Sequence, residues 1–290
     1  MKKKVSFFCV GAQKAGTSTL HDILQQHPGV NLPKRKETHY FRDDDKFSEG
    51  LGYYFNLFEK KQQAKAFGEI DPEYLYFPDC AQRMYDTFGT TKITAILRNP
   101  VDRAYSHYLM TQSRGLEDLS FEEAVSTEKE RLQTHFDHIN FSYIRRGMYT
   151  SQIERFEKVF GADHVRVYLF DDLIQDPQSV VDPMVLFVGL DPFKFDYAVK
   201  SNVASEPKSE KLRDFVYKPN KFKKMVGKLI PSKQLKNDIM TAIVSRNKKE
   251  AEKTQLSQEM KRQLYREFFV EEIARLEGKL NRDLSHWKYE

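Results

Sequence analysis

A glycine-bracketed loop near the start of the chain constrains the fold more than any other feature. Residues 4–10 are mostly apolar and rich in β-branched and aromatic side chains, which predicts a buried strand. The loop GAQKAG follows from Gly11 to Gly16, and a helical pattern begins near Thr17. A glycine loop that opens a helix binds anions, because its N–H groups are unpaired and the helix dipole is positive there. The order strand, loop, helix therefore predicts an α/β fold with an anion site.

The position of the lysine in this loop indicates which anion it binds. The nucleoside triphosphate loop G-x-x-x-x-G-K-[ST] places lysine directly after the second glycine, and the hydroxyl residue that follows holds magnesium. Here Thr17 and Ser18 follow Gly16, and Lys14 precedes it by two residues. We interpret this pattern as a metal-free site in which Lys14 lies beside a bridging oxygen rather than a terminal phosphate. A strand-to-helix turn without a ligand is the alternative.

Alternating strands and helices predict the rest of the architecture. Further strands are expected over 30–32, 64–72, 91–100 and 164–170, and helices over 79–87, 100–115 and 181–190. This alternation predicts a P-loop-like central parallel sheet with helices on both faces. From about residue 207 to 290 the pattern is helical and highly charged, so we expect an appended C-terminal helical region on a core of about 4–190. Near its end, apolar residues recur at helical spacing, namely Leu264, Phe268, Ile273, Leu276 and Leu280. We predict one domain over 1–290.

Cysteine content and hydropathy limit the environments that suit the chain. Two cysteines, Cys9 and Cys80, are too few for a disulfide framework. This favours a reducing compartment, and we expect a cytoplasmic location. No apolar run approaches the roughly 18 residues that a membrane-spanning helix needs, so no transmembrane segment is expected.

The positive charge is concentrated in one segment. The net charge is +5, and residues 218–236 alone hold seven lysines and no acid. We expect this segment to form a solvated cap on the core, with docking to an anionic glycan or peripheral contact with a membrane surface as the alternative. The remaining residues are slightly acidic, so the basic character is local. We expect no nucleic-acid partner.

Two separated elements of the sequence resemble those of a known family. The first is the loop, of the type G-x-x-K-[AG]-G-T-[ST]-[ST]-L, matched by Gly11, Lys14, Ala15, Gly16, Thr17, Ser18, Thr19 and Leu20. The second is LRNPVDRAYSHY, over 97–108. Together they resemble the sulfotransferases that use 3′-phosphoadenosine 5′-phosphosulfate (PAPS), in their carbohydrate-type and bacterial branch. The resemblance implies that the loop binds the 5′-phosphosulfate and that Arg98 and Ser106 bind the 3′-phosphate.

The stretch KRKETHYF, over 34–41, resembles the part of carbohydrate-type sulfotransferases that supplies the catalytic base. The resemblance implies that Glu37 removes the acceptor proton, while other branches of the family use a histidine, which makes His39 the rival. A positioned base raises the rate about 10²–10⁴-fold, because an acceptor hydroxyl is a weak nucleophile. The structural alternative is that Lys36 and Glu37 form only a surface pair and that His39 packs beneath Tyr40 and Phe41. Lys14 would stabilise the departing phosphate oxygen.

Two further stretches extend the resemblance with departures. GEIDPEYLYFP, over 68–78, resembles the family pattern E-[KAS]-[ST]-P-x-Y, but Ile70 stands where the heparan-type enzymes carry a lysine. This departure weakens the assignment of a heparan acceptor. Residues 202–213 are expected to form a lid over the cofactor, with Lys208 or Arg213 reaching the 3′-phosphate.

The resemblance implies a sulfotransferase that needs no metal. The expected reaction moves the sulfuryl group from PAPS to a hydroxyl or amine of a carbohydrate-containing acceptor and releases 3′-phosphoadenosine 5′-phosphate (PAP). An NTP-dependent kinase and a non-enzymatic module that binds nucleotides or polyanions are the alternatives. The displaced Lys14 argues against the kinase.

Overall fold

The computed structural model describes residues 4–59, 61, 64–199, 205–217, 242–243, 246–250 and 255–289. The chain divides into two compact units. The first unit combines 1–103, 146–202 and 258–290, and the second combines 104–145 with 203–257. The lysine-rich segment 218–236 lies outside the described residues.

A five-stranded parallel sheet lies at the centre of the first unit. Its strands are β1 (Val5–Gly11), β2 (Val30–Asn31), β3 (Ala66–Ile70), β4 (Lys92–Leu97) and β5 (Val165–Leu169), in the order β2-β3-β1-β4-β5. The central strand β1 pairs with β3 and β4 and is buried almost throughout. Parallel strands bring their carboxyl ends to one edge of a sheet. The loop after β1, the turn after β3 and Arg98 after β4 therefore share that edge.

Helices connect and flank these strands. In chain order they are α1 (Thr17–Leu24), α2 (Asp44–Ser48), α3 (Gly50–Asn56), α4 (Asp79–Phe88), α5 (Pro100–Ser113), α6 (Phe121–Ser126), α7 (Glu128–Arg131), α8 (His135–Asn140), α9 (Tyr149–Phe160), α10 (Phe170–Gln175), α11 (Pro177–Phe187), α12 (Glu210–Tyr217), α13 (Gln258–Leu264) and α14 (Val270–Leu280). Amphipathic helices such as α4 bury one stripe. In α4, Cys80, Met84 and Phe88 recur every four residues and are all buried, as the helical period requires.

The second unit is held together by polar contacts as well as by apolar ones. Glu117 is buried and accepts two hydrogen bonds from Arg131, at 2.9 and 3.1 Å. Tyr143 Oη donates to the same carboxylate at 2.7 Å. A short antiparallel pair, β6 (Ser205–Pro207) with β7 (Lys248–Glu250), also belongs to this unit.

The predicted fold class is confirmed, while three details of the prediction are wrong. Strand β7 lies in the region that we expected to be helical, and its partner β6 lies at the start of that region; three-residue strands are too short to show a period. Helix α11 begins at Pro177, four residues before the predicted 181, and proline suits a first helical position. A π-helical turn, Tyr265–Phe269, separates α13 from α14 and buries Phe269 where helical spacing selects Phe268.

Candidate active site

The loop between β1 and α1 leaves the first turn of α1 without a side-chain cap. Gly16 occupies the N-cap position and offers no side-chain acceptor. Ala15 N–H donates to Ala12 O at 3.2 Å, which closes the loop into a turn. Because the N-terminal amides of a helix are electropositive, this end of α1 can bind an anion.

Gly16 and Arg98 meet at one aromatic ring. The φ of Gly16 is +79°, and a Cβ at this position would lie 2.8 Å from the ring of Phe170. The guanidinium of Arg98 lies over the same ring, 5.0 Å from its centroid. Arg98 Nη1 also donates to Lys14 O at 3.1 Å. The structure thus brings the two predicted anion-binding elements into direct contact.

The backbone on either side of Arg98 is fixed by hydrogen bonds. Tyr149 Oη donates to Arg98 O at 2.8 Å, and burial raises the pKa of Tyr149 to about 12. Asn99 Oδ1 accepts the N–H of Val101 at 3.0 Å and so caps the start of α5. Arg98 therefore projects from a rigid strand end.

Glu37 lies next to the loop through its neighbour Lys36. The Lys36 ammonium forms an ion pair with the Glu37 carboxylate and donates to Thr17 Oγ1 at 3.3 Å. The side chain of Glu37 is 33% exposed, so its carboxylate can be reached by an acceptor. Lys36 is thereby a contact between the predicted base and the first residue of α1.

The predicted catalytic residues share an unusual backbone conformation. Lys14, Glu37 and His39 have φ values of +72°, +65° and +56°. In the part of the chain that the structure describes, Asn281 is the one other non-glycine residue with positive φ. Left-handed backbone at bulky residues concentrates at functional sites, where the surrounding structure holds it in place.

His39 pairs with the buried carboxylate of Asp71. Asp71 Oδ2 lies 3.0 Å from His39 Nδ1 and accepts His39 N–H at 2.7 Å. Burial alone would lower the pKa of His39, but the negative charge of Asp71 outweighs it and raises that pKa. Burial likewise opposes ionisation of Asp71, yet His39 holds the pKa of this carboxyl at about 2. The pair is therefore ionised at mildly acidic pH, and it fixes the orientation of the ring.

Glu69 lies beneath this segment and is fully buried at the end of β3. Its carboxylate accepts hydrogen bonds from Thr38 Oγ1, from Tyr54 Oη at 2.6 Å and from Tyr74 Oη at 2.9 Å. Burial and the nearby charge of Asp71 raise the pKa of Glu69 to about 7. Thr38 is thus anchored to the sheet between the two candidate bases.

Glu73 forms a second buried polar cluster. Arg42 Nη1 donates to Glu73 Oε2 at 2.9 Å, and Arg146 Nη2 lies 3.4 Å from the same oxygen. Gln13 Nε2, from the loop after β1, donates to Glu73 Oε1 at 2.8 Å. Burial opposes ionisation of Glu73, but Arg146 and Arg42 outweigh it and lower its pKa.

The comparisons with known proteins identify the family. A family model described as "Sulfotransferase domain" matches residues 5–276. The chain belongs to the sulfotransferase domain family. Both the predicted family and the predicted fold class are confirmed.

One solved structure matches this sulfotransferase domain along almost its whole length. It is a sulfotransferase from Alicyclobacillus acidocaldarius, with 29% sequence identity and a TM-score of 0.72. The match covers 98% of this chain and 99% of that chain.

Among annotated relatives, the heparan sulfate glucosamine 3-O-sulfotransferases 5 of mouse and human are each 26% identical over 185 residues. The match covers 63% of this chain and 53% of theirs. The chain thus spans about half the length of these relatives. The membrane-associated sulfotransferase kil1 of Dictyostelium discoideum is 31% identical over 139 residues, which cover 44% of this chain and 29% of that protein.

Three predicted cofactor contacts of the sulfotransferase domain lie in the second unit and stay predictions. Ser106 is half-buried on the second turn of α5. Lys208 is exposed just before α12, where its N–H donates to Asn247 O at 2.8 Å. Arg213 is on α12, and its guanidinium pairs with Asp214 at 2.7 Å and with Glu210 at 3.6 Å.

Four residues of the site were missed by our sequence reasoning. Phe170 supports Gly16 and Arg98, while Asp71, Glu73 and Gln13 form buried contacts around the loop and around His39. One signal was present in the sequence. Acids recur at alternate positions in GEIDPE, over 68–73, where a strand ends at the ligand-binding edge of the sheet.

The described residues also bear on metals and membranes. They contain no group of three or more histidines, cysteines or acids placed to hold a metal ion. None of the helices searched among them is both long and apolar enough to cross a bilayer.

Proposed function

We propose that this chain transfers the sulfuryl group of PAPS to a hydroxyl or amine of an acceptor and releases PAP. One observation carries the proposal: Arg98 Nη1 lies 3.1 Å from Lys14 O, which joins the two predicted anion-binding elements at one edge of the sheet. A donor with a 5′-phosphosulfate and a separate 3′-phosphate needs two such elements. Membership of the sulfotransferase domain family supports the same reaction.

The residues present fit this donor. The uncapped first turn of α1 and the loop amides suit the 5′-phosphosulfate, and the guanidinium fork of Arg98 suits the 3′-phosphate. When bound, PAPS supplies an activated sulfuryl group. Lys14 would place a positive charge beside the phosphate oxygen on which negative charge develops. Ala15, Thr17, Ser18 and Thr19 would contribute through the loop and the first turn of α1.

We assign Glu37 as the general base. Its carboxylate is partly exposed and is connected to the start of α1 through Lys36 and Thr17, which supports a place beside the sulfuryl group. In this role it takes the proton of the acceptor hydroxyl as the oxygen attacks sulfur. His39 is the weaker candidate, because its pairing with Asp71 raises its pKa and favours the protonated ring, which cannot accept a proton.

We extend the proposal to a carbohydrate-containing acceptor. The support is the match to relatives named heparan sulfate glucosamine 3-O-sulfotransferases. The departure at Ile70 argues for an acceptor other than heparan itself. Loops and appended segments shape acceptor pockets on such folds, so the acceptor is the part of the proposal that family membership supports least.

Calorimetric titration tests the proposal against a kinase and against a polyanion-binding module. We expect PAP to bind without metal and ATP with magnesium to bind far more weakly. Arg98→Ala should weaken PAP binding about 10- to 100-fold, because it removes charge-assisted hydrogen bonds. Arg166→Ala is the matched control, since Arg166 also lies over a phenylalanine ring, Phe187, at 4.7 Å from its centroid.

Each alternative gives a different result in this experiment. Binding of ATP with magnesium that exceeds that of PAP would support the kinase. Weak binding of both nucleotides, with a steep dependence on salt, would support the polyanion-binding module. If Arg98→Ala and Arg166→Ala both bind PAP as wild type does, the assignment of the 3′-phosphate site is wrong.

A further inference from the structure

The turn that follows β3 contacts both the donor loop and the base segment. We use "donor loop" for residues 11–16 and "base segment" for residues 36–39. Glu73 in this turn accepts the side-chain N–H of Gln13, in the donor loop, at 2.8 Å. Asp71 in the same turn accepts the backbone N–H of His39, in the base segment, at 2.7 Å. Two carboxylates separated by one residue thus hold two segments that are distant in sequence.

The turn itself is rigid. Asp71 Oδ1 accepts the N–H of Glu73 at 3.1 Å, so the two carboxylates are fixed relative to each other. Leu75 N–H donates to Val10 O at 2.8 Å, at the end of β1. A Cβ on Gly11 would lie 2.6 Å from Leu75 Cβ, which shows how closely the turn approaches the donor loop. Asp71, Glu73 and Leu75 are all buried.

The charges explain why these contacts persist. Glu73 faces Arg42 and Arg146, so it stays ionised in a buried place and is a strong acceptor for Gln13. Asp71 faces the ring of His39 in the same way. A buried carboxylate with all its partners in place holds them in one geometry, because any other arrangement leaves a buried charge unpaired.

We propose that the turn Asp71–Glu73 is a positioning element that aligns the donor loop with the base segment. Glu73 holds the donor loop through its hydrogen bond with Gln13, and Asp71 fixes the position of Glu37 through its contacts with His39. The inference rests on the proposed function, since it assigns a purpose to the alignment of donor and base. Both carboxylates are buried and act through Gln13 and His39, so both are positioning residues and not catalytic ones.

A double-mutant cycle tests the contact with the donor loop. Gln13→Met, Glu73→Gln and the double variant are titrated calorimetrically with PAP. If Glu73 acts through Gln13, each single change weakens PAP binding about tenfold and the double change weakens it no further. Additive losses, or affinities within twofold of wild type, would overturn this part of the proposal.

The same experiment includes a control for misfolding of the variants. Glu117→Gln is the matched variant, because Glu117 is also buried and paired with an arginine, and its partners Arg131 and Tyr143 belong to the second unit. It should bind PAP within twofold of wild type. If Glu73→Gln does not fold, Gln13→Met decides the result, since it leaves Glu73 with both arginines; unchanged PAP affinity in that variant would then contradict the proposal.

The contact with the base segment is tested by nuclear magnetic resonance without any acceptor. In Asp71→Asn the ring of His39 should titrate at lower pH than in wild type, and the amide signals of Glu37 and Thr38 should shift. The ring of His21, which pairs with Asp22 and not with Asp71, is the internal reference and should titrate as before. Asp71→Glu should restore part of the His39 shift.

The outcomes separate this inference from the function on which it rests. Failure of the wild-type protein to bind PAP would contradict the proposed function. Normal PAP binding by wild type, with the His39 titration and the Glu37 amide signal unchanged in Asp71→Asn, would contradict the positioning role alone.

Discussion

Lys14, Glu37 and His39 hold a backbone conformation that costs about 1–2 kcal/mol for each residue with a side chain. The surrounding contacts offset this cost. Arg98 donates to the carbonyl of Lys14, and Asp71 accepts the N–H of His39. Thr38, between the two candidate bases, is anchored to Glu69. The side chains proposed for chemistry are thus held in place by residues that do no chemistry themselves.

At this scale, Glu37→Gln tests the base most directly. We expect PAP affinity within twofold of wild type, because the amide keeps the shape of the side chain and the donor loop is untouched. Turnover should fall about 10²–10⁴-fold, since an amide cannot take the proton. PAP release is measured on an acceptor that wild type uses, with His39→Gln in parallel. A larger loss for His39→Gln than for Glu37→Gln would assign the base to His39.

The raised pKa of Glu69 predicts that the stability of the fold depends on pH. Its pKa in the folded protein is about 7, above its ordinary value of 4.5, so the folded state binds the extra proton between these values. This group therefore stabilises the fold fully below about pH 4.5 and loses that contribution as pH rises through about 7. Urea unfolding from about pH 5 to about pH 8 should show a smaller loss of stability in Glu69→Gln than in wild type. Equal losses in the two proteins would contradict the assignment.

At the scale of the element, the turn from β1 to α1 needs glycine at its last position. Gly16 combines a left-handed backbone with the close ring of Phe170, so Gly16→Ala adds both strain and a clash. Gly189, two residues after the end of α11, has the same φ of +79°, but a Cβ there meets nothing within 4 Å. Alanine substitutions at the two glycines therefore separate the effect of backbone strain from the effect of steric contact.

The matched substitutions at Gly16 and Gly189 give a quantitative prediction. Gly189→Ala should cost about 1–2 kcal/mol of unfolding free energy and leave PAP affinity unchanged. Gly16→Ala should cost more, and it should weaken PAP binding at least about tenfold because Phe170 must move away from Arg98. Urea unfolding and calorimetry on both variants provide the measurements. Equal effects of the two changes would show that the ring of Phe170 does not matter.

The sequence predicted elements well where their periodic signal is long. Strand β1 matches its predicted range to one residue, β4 lies inside its predicted range, and α1 begins at Thr17 as expected. The π-helical turn at Tyr265–Phe269 could not be predicted, because one extra residue in a turn shifts the buried position without changing the composition. The strands of the β6–β7 pair are too short to show a periodic pattern of apolar residues.

At the scale of the whole molecule, the site depends on contacts between residues far apart in sequence. The family resemblance implied that Arg98 and the donor loop bind two phosphates of one donor, and parallel strands of one sheet bring both to the same edge. The contact of Gln13 with Glu73 was not predicted. The position of a residue at a sheet edge indicates which residues lie near its side chain, but not which of them the side chain contacts. Buried polar contacts are therefore the part of such a site that sequence reasoning predicts least.

The C-terminal residues extend this dependence to the end of the described chain. Trp287 is buried, its Nε1 donates to Asp171 at 2.8 Å, and its carbonyl accepts from Asn99 Nδ2 at 3.2 Å, next to Arg98. Trp287→Ala should cost about 3–5 kcal/mol of unfolding free energy through the cavity that it leaves. It should also weaken PAP binding, because the strand end that carries Arg98 loses packing.

Trp287→Phe is the matched variant for this prediction. It keeps an aromatic ring and loses the hydrogen bond to Asp171, so we expect it to cost less than Trp287→Ala and to bind PAP within about threefold of wild type. Urea unfolding and PAP calorimetry are carried out where all three proteins are folded. If folded Trp287→Ala binds PAP as tightly as wild type, the C-terminal residues stabilise the fold without supporting the 3′-phosphate site.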